Sequence, residues 1–309
     1  MHLIKDELDF GPWLEAAAGS SVGAGPMPRH ENQDNLLLID ARGQAVYLSR
    51  QAPLRCLVPD WPAGHVRAAV LDGMGGHGHG REAAEAAVQG LLAVPACGDT
   101  ASLSFHLDRL HTRLQAGFAS EAPAHSRPPG TTLTLLEIPP GQAPLLYHVG
   151  DSRLYELCDG IASALTVDHV PATVQAMHGA LDEAGWRACV HGMHHPQISQ
   201  AFILGNAMGD TLQLDKPLHA LDAGNLPPFL AHLGDRRVLQ VRPGACYLLA
   251  SDGFWACAHP LAYTARWPAL CAGKSAAQAV TALFDDFLAH PPTGLHSDNI
   301  TVLALRFTG

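Results

Sequence analysis

The chain has 309 residues, of which 47% are hydrophobic and 16% are charged, and its formal net charge is −10. This composition is typical of a globular protein with a sizeable core, and the length fits one large domain or two average ones. The acidic balance argues against nucleic acid or an anionic membrane as a partner, since surfaces that bind them need an excess of lysine and arginine. No apolar run approaches the roughly 18 residues of a membrane span, and the first residues lack the apolar segment of a secretory signal.

The seven cysteines lie far apart in the sequence and include no C-x-x-C pair. Their number is odd, and a chain of this length does not need disulfides to hold its fold. We therefore expect reduced and mostly buried thiols in a cytoplasmic protein, and no zinc–thiolate site.

Seven short segments rich in Val, Leu, Thr and Tyr predict β-strands. They are 45–48, 66–71, 131–137, 145–149, 153–157, 246–250 and 300–307. Three segments have the apolar spacing of a helix, namely 82–94, 103–118 and 280–288, the last with Ser275 as a candidate N-cap. The strands between residues 131 and 157 follow one another without a helix, which predicts antiparallel hairpins and argues against a doubly wound parallel sheet. We therefore expect two packed sheets with helices outside.

The stretch 170–199 is rich in histidine and poor in β-branched residues, so we expect an inserted surface subdomain there. Within it, His191, His194 and His195 have a spacing that could bind zinc. No clear fourth ligand is near, so we interpret these histidines as solvated polar residues. We expect Trp186 to pack against apolar neighbours rather than to stack on a substrate, and the same of a second tryptophan at position 255.

Four aspartates stand where a predicted strand begins or ends, namely Asp72, Asp151, Asp252 and Asp298, and a fifth, Asp34, stands just before the apolar run 36–39. Taken alone, each of these short segments is typical of a turn or a cap. Strand ends are rigid, however, so side chains placed there can converge at a small entropic cost. Several carboxylates brought together repel one another strongly unless cations lie between them. Ligands that are all oxygen select hard ions, Mg²⁺ or Mn²⁺ before Ca²⁺.

Eight segments carry a further pattern, in fixed order along the chain. They are 29–34 (RHENQD), 72–77 (DGMGGH), 130–133 (GTTL), 149–155 (VGDSRLY), 165–169 (LTVDH), 207–209 (AMG), 249–255 (LASDGFW) and 298–302 (DNITV). With these residues in this order, the chain resembles the PP2C-like (PPM) family of metal-dependent protein serine/threonine phosphatases, in its bacterial form. The resemblance covers nearly the whole chain.

The resemblance implies an α+β fold, an α-β-β-α sandwich of two antiparallel sheets flanked by helices. It implies a single phosphatase domain over residues 1–309, with an inserted flap at about 170–205. The activity implied is hydrolysis of phosphoserine and phosphothreonine by a metal-activated water, with two Mn²⁺ or Mg²⁺ ions and a position for a third. The partner implied is a phosphoprotein, the substrate of a bacterial serine/threonine kinase, and we expect the protein to be a monomer.

The resemblance also implies a role for each matched residue. Asp72 would bridge two cations, Asp252 and Asp298 would complete the binding of one, and the carbonyl of Gly73 would bind the other. Asp151 matches the position that holds a third cation together with Asp252. The catalytic residues implied are therefore Asp72 and Asp252, together with the arginine discussed next.

Arg29 matches the arginine that grips the phosphoryl group, and its planar guanidinium suits two phosphate oxygens at once. Two positions depart from the family pattern. Gln33 stands where the family has a glutamate, and its neutral amide leaves the second cation to weaker binding, to water or to Asp34. Met74 stands where eukaryotic relatives have a histidine, so the general acid is unassigned. We interpret His77, in the glycine loop, as structural.

Two alternatives concern function. The segment 73–78 is a literal G-x-G-x-x-G between a predicted strand and a helix, which is typical of dinucleotide binding. No apolar second strand follows the helix, and Asp72 would repel a pyrophosphate, so we set this interpretation aside. The second alternative is a pseudophosphatase that binds phosphoproteins as a regulator without turnover. The replacement of the family's glutamate by Gln33 suggests this alternative.

Overall fold

The computed structural model describes residues 2–4, 8–23, 29–75, 79–121, 129–193, 197–208, 217–295 and 297–308. The strands are β1 (His2–Ile4), β2 (Leu14–Ser21), β3 (Asn35–Ile39), β4 (Gln44–Ser49), β5 (Ala52–Leu57), β6 (Val66–Leu71), β7 (Gly73–Met74), β8 (Gly130–Thr131), β9 (Leu133–Ile138), β10 (Leu145–Val149), β11 (Arg153–Cys158), β12 (Ile161–Ala164), β13 (Gln200–Ala201), β14 (Gly205–Asn206), β15 (Arg236–Val238), β16 (Cys246–Ala250) and β17 (Ile300–Phe307). The helices are α1 (Gly80–Leu92), α2 (Thr100–Glu121), α3 (Pro171–Met177), α4 (Glu183–Val190), α5 (Asp252–Trp255), α6 (Pro260–Thr264), α7 (Trp267–Cys271) and α8 (Ala276–Ala289). The described helices include none with both the length and the apolar character that crossing a membrane requires.

Two large antiparallel sheets form the centre of the molecule. The six-stranded sheet has the order β1-β2-β17-β16-β11-β12, and the seven-stranded sheet has the order β15-β10-β9-β6-β3-β4-β5. Their paired strands run antiparallel throughout. Of the antiparallel hairpins expected between residues 131 and 157, the one formed by β9 and β10 is confirmed. The prediction was wrong for β10 and β11, which follow each other in the chain but lie in different sheets. A doubly wound parallel sheet is excluded.

The alternation of side chains along each strand separates three apolar layers. In β3, Leu36 and Leu38 face the other sheet, whereas Leu37 and Ile39 pack against α1 and α2. In β16, the side chains at 247 and 249 lie between the sheets, and those at 246, 248 and 250 pack toward the helices α5 to α8. The architecture is therefore helices, sheet, sheet and helices, which confirms the fold class expected from the sequence.

The helix boundaries follow from local chemistry. Ser275 caps α8, where its hydroxyl accepts from the amide of Gln278 at 3.3 Å and the Gln278 side chain accepts from the Ser275 amide at 3.0 Å. This capping box confirms the predicted N-cap. At the end of α1, the guanidinium of Arg67 donates to the carbonyls of Leu91 and Val94 at 2.7 and 2.9 Å. Arg67 on β6 thus satisfies carbonyl groups that the helix end leaves without intrahelical partners.

The segment predicted as one strand at 131–137 is broken in two at Thr132. The amide of Thr132 donates to the carbonyl of Asp72 at 2.8 Å, and its hydroxyl accepts from the amide of Asp72 at 2.9 Å. Thr132 therefore bonds to the turn after β6 instead of continuing the sheet. The prediction of an unbroken strand was wrong at this residue.

The segment that holds α3 and α4 has an apolar cluster of its own, which includes Trp186, Val190, Leu221 and Leu230. The expected packing role of Trp186 is confirmed, since its side chain is buried. His191 packs its ring on Trp186 at 5.2 Å between centroids, and burial lowers the pKa of His191 to about 3. The interpretation of His191 as a solvated residue was therefore wrong. The other two histidines of this group, at 194 and 195, lie outside the described residues.

Candidate active site

Four of the five predicted aspartates stand at one end of the two sheets. Asp34 precedes β3 and Asp72 follows β6, and these two strands are antiparallel neighbours. Asp252 follows β16 and Asp298 precedes β17, which are neighbours in the other sheet. In a pair of antiparallel strands, the start of one strand lies beside the end of the other. Each strand pairing therefore brings two of the aspartates together.

The pKa shifts of these carboxyls indicate that they lie within range of one another. The pKa of Asp72 is well above its usual value, first because of burial and then because of the charges of Asp252, Asp34 and Asp298. Burial also raises the pKa of Asp34 to about 8, against the lowering effect of two hydroxyl contacts, and the charges of Asp298 and Asp252 add to the increase. For Asp298, burial and the charge of Asp252 raise the pKa against the effect of Arg29. We call these four residues the carboxylate cluster.

The side-chain oxygens of the carboxylate cluster suit a hard divalent cation, because they are anionic, largely buried and destabilised by their mutual repulsion. A cation among them would remove the cost of bringing the charges together. Within the described ranges, no three side chains of the His, Cys, Asp and Glu type form a ready-made metal-binding group. The support for a metal site is therefore the mutual charge effect and the donor chemistry, both of which fit Mg²⁺ or Mn²⁺.

A hydroxyl that the sequence analysis did not single out holds Asp34. Ser251 donates from its hydroxyl to Asp34 at 2.7 Å, and the same oxygen accepts from the amide of Thr301 at 2.9 Å. The hydroxyl of Thr301 in turn contacts that of Ser20 at 2.8 Å. Asp34 is thus fixed by residues from β2, β17 and the end of β16, although Ser251 and Thr301 lie inside the matched motifs.

Asn299 joins the segment after β2 to the start of β17. Its side-chain oxygen accepts from the amide of Gln33 at 2.8 Å, and its side-chain nitrogen donates to the carbonyls of Glu31 and Val22 at 2.8 and 3.2 Å. Asn299 therefore positions the backbone between Arg29 and Asp34. The sequence motif that contains Asn299 was recognised, but this positioning role was not.

Gly73 lies where no side chain fits. A Cβ atom at this position would lie 2.5 Å from the carbonyl oxygen of Gln33 and closer still to that of Gly80. The close approach explains the glycine at this site, and the backbone of Gly73 stays next to Asp72. Its predicted role as a carbonyl ligand stays a prediction.

Asp151 is buried at the turn between β10 and β11. Its charge is not among those that dominate the pKa shifts of the carboxylate cluster. The turn is held by its neighbours, since the hydroxyls of Ser152 and Thr132 are 2.6 Å apart and the amide of His169 donates to the carbonyl of Gly150 at 2.8 Å. Asp151 is therefore fixed close to the Asp72 turn through Thr132, and its role with a third cation stays a prediction.

Arg153, next along this turn, is fully buried and joins three parts of the molecule. Its guanidinium donates to Asp168 at 2.7 Å and to the carbonyl of Val190 at 2.6 Å, and it lies 3.4 Å from the ring centre of Trp255. The matched arginine is therefore a structural link between α4 and the short helix that begins at Asp252.

Arg29 donates to Asp298 at 3.0 Å and to the carbonyl of Ser297 at 2.9 Å. The Arg29 side chain is 47% exposed, so it is at the solvent side of the carboxylate cluster. Neighbouring Gln33 uses its backbone in the contact with Asn299. Arg29, Gly73 and the four aspartates of the cluster thus lie around one site, and Asp151 lies on a turn that Thr132 links to that of Asp72.

No family model matches the sequence, and no curated protein matches it either. Solved structures do match. The serine/threonine phosphatase of S. agalactiae is 21% identical with a TM-score of 0.65, and MsPP, a PPM Ser-Thr phosphatase from Mycobacterium smegmatis in complex with cacodylate, is 24% identical with a TM-score of 0.61. Each alignment covers 96% of this chain and 100% of the other.

The catalytic domain of the phosphatase PstP, in complex with two manganese ions, is 20% identical with a TM-score of 0.61. This alignment covers 96% of the present chain and 99% of the other. The likeness extends over both sheets and the flanking helices, and identities of this size establish the architecture. The chain therefore has the fold of the bacterial PPM serine/threonine phosphatases.

Proposed function

We propose that the protein is a metal-dependent phosphatase that hydrolyses phosphoserine and phosphothreonine in proteins. The observation that supports this most is the carboxylate cluster, in which aspartates from four strand ends raise one another's pKa at one end of the sandwich. Such an arrangement is costly for stability alone, and buried groups with strongly shifted pKa values are typical of functional sites. The fold it shares with solved bacterial phosphatases, one of them with two manganese ions, is consistent with this proposal.

Asp72, Asp252 and Asp298 would hold the cations, with Asp34 and the carbonyl of Gly73 as further oxygen donors and Asp151 for a third ion. When bound, Mn²⁺ or Mg²⁺ supplies a nucleophilic water at neutral pH and neutralises charge on the phosphoryl oxygens. The protein contributes orientation and charge. Its rigid strand ends fix the carboxylates, so little freedom is lost when the site is filled.

Arg29 would orient the phosphoryl group. Its guanidinium is exposed enough to exchange its contact with Asp298 for a phosphate oxygen, and its planar donors match two such oxygens. Ser251 would keep the carboxylate of Asp34 turned toward the cluster through its hydrogen bond of 2.7 Å.

A second candidate function is phosphoprotein binding without turnover, as a pseudophosphatase. Two observations favour it. Gln33 supplies no charge where the matched motif has a glutamate, and Arg29 already donates to Asp298. Against it, the four aspartates of the cluster and Arg29 are all present.

Hydrolysis of p-nitrophenyl phosphate with and without Mn²⁺ separates the two functions. We expect turnover that requires the metal, and we expect Asp252→Asn to reduce the rate by at least about a hundredfold. The matched control is Asp285→Asn, because Asp285 is exposed on α8. Full activity in Asp252→Asn would overturn the site assignment, and metal binding without turnover in the unmutated protein would favour the pseudophosphatase.

Metal binding is tested separately by thermal unfolding. Mn²⁺ that binds only the folded state should raise the melting temperature of the unmutated protein. Asp252→Asn should melt at a higher temperature than the unmutated protein without metal, because one repelling charge is gone, and should respond less to Mn²⁺. If Asp285→Asn also raised the melting temperature without metal and weakened the response to Mn²⁺, a specific role of the cluster would be contradicted.

We also propose that the substrate is a phosphoprotein made by a bacterial serine/threonine kinase, that the protein acts as a monomer in the cytoplasm, and that the segment around α3 and α4 selects the substrate. The support is that the solved structures with this fold are named as bacterial serine/threonine phosphatases. Replacement of residues 170–205 by the corresponding segment of a related phosphatase should change the rates on phosphopeptides and not the rate on p-nitrophenyl phosphate.

A further inference from the structure

Three cysteines line one cavity at the end of the six-stranded sheet that is remote from the carboxylate cluster. The cavity has a volume of about 360 Å³ and is lined by Cys158, Cys246 and Cys271, together with Arg306. Cys246 begins β16, whereas Asp252 follows the other end of that strand. At roughly 3.3 Å per residue, the strand separates the two places by well over 10 Å. The cavity therefore takes no part in the proposed phosphatase site.

The thiols of Cys246 and Cys271 are direct neighbours. The two thiols lie within interaction range of each other, although the residues belong to β16 and to the end of α7. Arg306 is the cross-strand partner of Cys246 in β17 and donates to the carbonyl of Cys271. One guanidinium thus lies beside both cysteines.

This environment makes the two thiols unequal. The contact with the Cys271 thiol lowers the pKa of the Cys246 thiol against the effect of burial, and Arg306 lowers it further. The same contact, with burial, raises the pKa of the Cys271 thiol. By contrast, burial raises the pKa of Cys56, Cys97 and Cys257. Two neighbouring thiols that line one cavity, with a guanidinium beside both, are the arrangement that oxidation to a disulfide requires.

We propose that Cys246 and Cys271 form an oxidisable dithiol that a hydroperoxide converts into a disulfide. The sulfur of Cys246 attacks one peroxide oxygen, the O–O bond breaks, and with hydrogen peroxide one water leaves and Cys246 becomes a sulfenic acid. The sulfur of Cys271 then attacks that of Cys246, the S–O bond breaks, and the second water leaves with the Cys271 proton. Two electrons pass from the two thiols to the peroxide, so two thiols and one hydrogen peroxide give one disulfide and two waters.

The cavity gives a small oxidant access to the two thiols. Cys246 and Cys271 are only 2% and 1% exposed, so a reagent such as hydrogen peroxide reaches them through the cavity that they line. Cys158, at the same cavity, is half-buried and donates from its thiol to Asp159 at 3.5 Å. Burial and the Asp159 carboxylate raise the pKa of Cys158, which disfavours its thiolate. The new bond would close a chain loop that contains Ser251 and Asp252.

The test uses the full chain treated with hydrogen peroxide, then alkylation of free thiols, proteolysis and mass spectrometry. We expect a reducible cross-link between the peptides that carry Cys246 and Cys271, loss of two thiols, and a higher melting temperature that returns to its starting value with a reductant. Cys158→Ser is the matched control and should keep the cross-link. Cys271→Ser should lose it and should accumulate a sulfenic acid at Cys246 that reacts with dimedone.

Dimedone labelling of Cys246 is also measured on the unmutated protein at early times of oxidation. The test therefore does not depend on whether Cys271→Ser folds well. A cross-link from Cys246 to Cys158 would contradict the assigned pairing. Oxidation of the exposed Cys189 without any Cys246–Cys271 bond would overturn the proposal.

Discussion

Arg29 and Asp298 form an ion pair of 3.0 Å at the solvent side of the carboxylate cluster. The two side chains are 47% and 28% exposed, and pairs of this kind contribute little to stability. The pair is therefore weak enough to open. It places the guanidinium next to a proposed metal ligand, where it offsets part of the repulsion that raises the pKa of Asp298.

The first prediction concerns this pair. Arg29→Ala should raise KM for p-nitrophenyl phosphate about tenfold or more, because a charged donor to the phosphoryl group is lost. The Mn²⁺ concentration for half-maximal activity should stay the same or fall, since no guanidinium competes for Asp298. Arg29→Lys should give an intermediate KM, because the ammonium keeps the charge without the fork. An increase in the Mn²⁺ requirement with KM unchanged would contradict the assigned role.

The second prediction concerns a buried ion pair that links β6, β9 and the end of α1. Arg67 donates to Glu137 at 2.6 and 2.9 Å, and both side chains are fully buried. His65 and the amide of Cys97 also contact Glu137, at 2.8 and 2.9 Å. Arg67→Met leaves this carboxylate without its main partner and should lower the free energy of unfolding by about 3–5 kcal/mol.

Removal of the charge on Glu137 should rescue part of that loss. In Arg67→Met/Glu137→Gln no buried charge is left uncompensated, so the double variant should be more stable than the sum of the two single changes. Urea unfolding followed by circular dichroism measures all four proteins. Additive losses would show that the pair is not coupled.

The third prediction compares two glycines in neighbouring helices. A Cβ atom on Gly90 of α1 would lie 3.1 Å from Cγ of Leu110 in α2 and closer still to its methyl groups. Gly90→Ala should therefore cost about 1–3 kcal/mol of stability through overpacking. Gly117 on α2 is exposed, and a Cβ atom added there would have open space around it. Gly117→Ala should stabilise the protein by about 0.5–1 kcal/mol through helix propensity. Melting temperatures that move in the same direction would refute the contrast.

The fourth prediction concerns acid stability. His111 is 1% exposed, and its Nδ1 accepts from the amide of Ile203 at 2.9 Å. Burial lowers the pKa of His111 to about 4. An unfolded histidine has a pKa of about 6.5, so between these values the unfolded chain binds the extra proton. Stability is therefore fully present above pH 6.5 and decreases as the pH falls toward 4, by about 3 kcal/mol for this group.

His111→Gln should flatten the pH dependence of the unfolding free energy in this window, since the amide cannot be protonated there. His178, which is exposed at the end of α3, is the control, and His178→Gln should leave the slope unchanged. Urea unfolding at several pH values between 4 and 7.5 is the measurement. An unchanged slope in His111→Gln would mean that another group controls it.

The strands that were predicted well are apolar runs bounded by turn residues. The limits of β6, β10, β16 and β17 agree with the segments expected from the sequence. The strand β2 was missed, because its alanine-rich sequence has a low β-propensity. It is a strand because it pairs with β17 and lies under α8, so close that a Cβ on Gly19 would be 2.5 Å from the ring of Phe284. The strand β5 was missed because it is an edge strand with exposed side chains.

The acidic residues of the candidate site could be predicted from the sequence. The hydrogen bonds and ion pairs that hold them in place could not. Aspartates at strand ends can be read from the order of apolar runs and turns. The hydrogen bond from Ser251 to Asp34 joins residues 217 positions apart, and the pairing of Arg29 with Asp298 joins residues 269 positions apart. Contacts of this kind depend on how the sheets pack, and no local pattern reports them.

The pairing of β2 with β17 has a consequence for biosynthesis. Leu14 lies opposite Phe307 and Ser21 opposite Ile300, so the middle of one sheet joins two strands that are almost 280 residues apart in the sequence. A nascent chain on the ribosome cannot complete that sheet until β17 has emerged, and topologies of such high contact order fold slowly. Asp298 arrives together with β17. Partly synthesised chains therefore lack a complete carboxylate cluster.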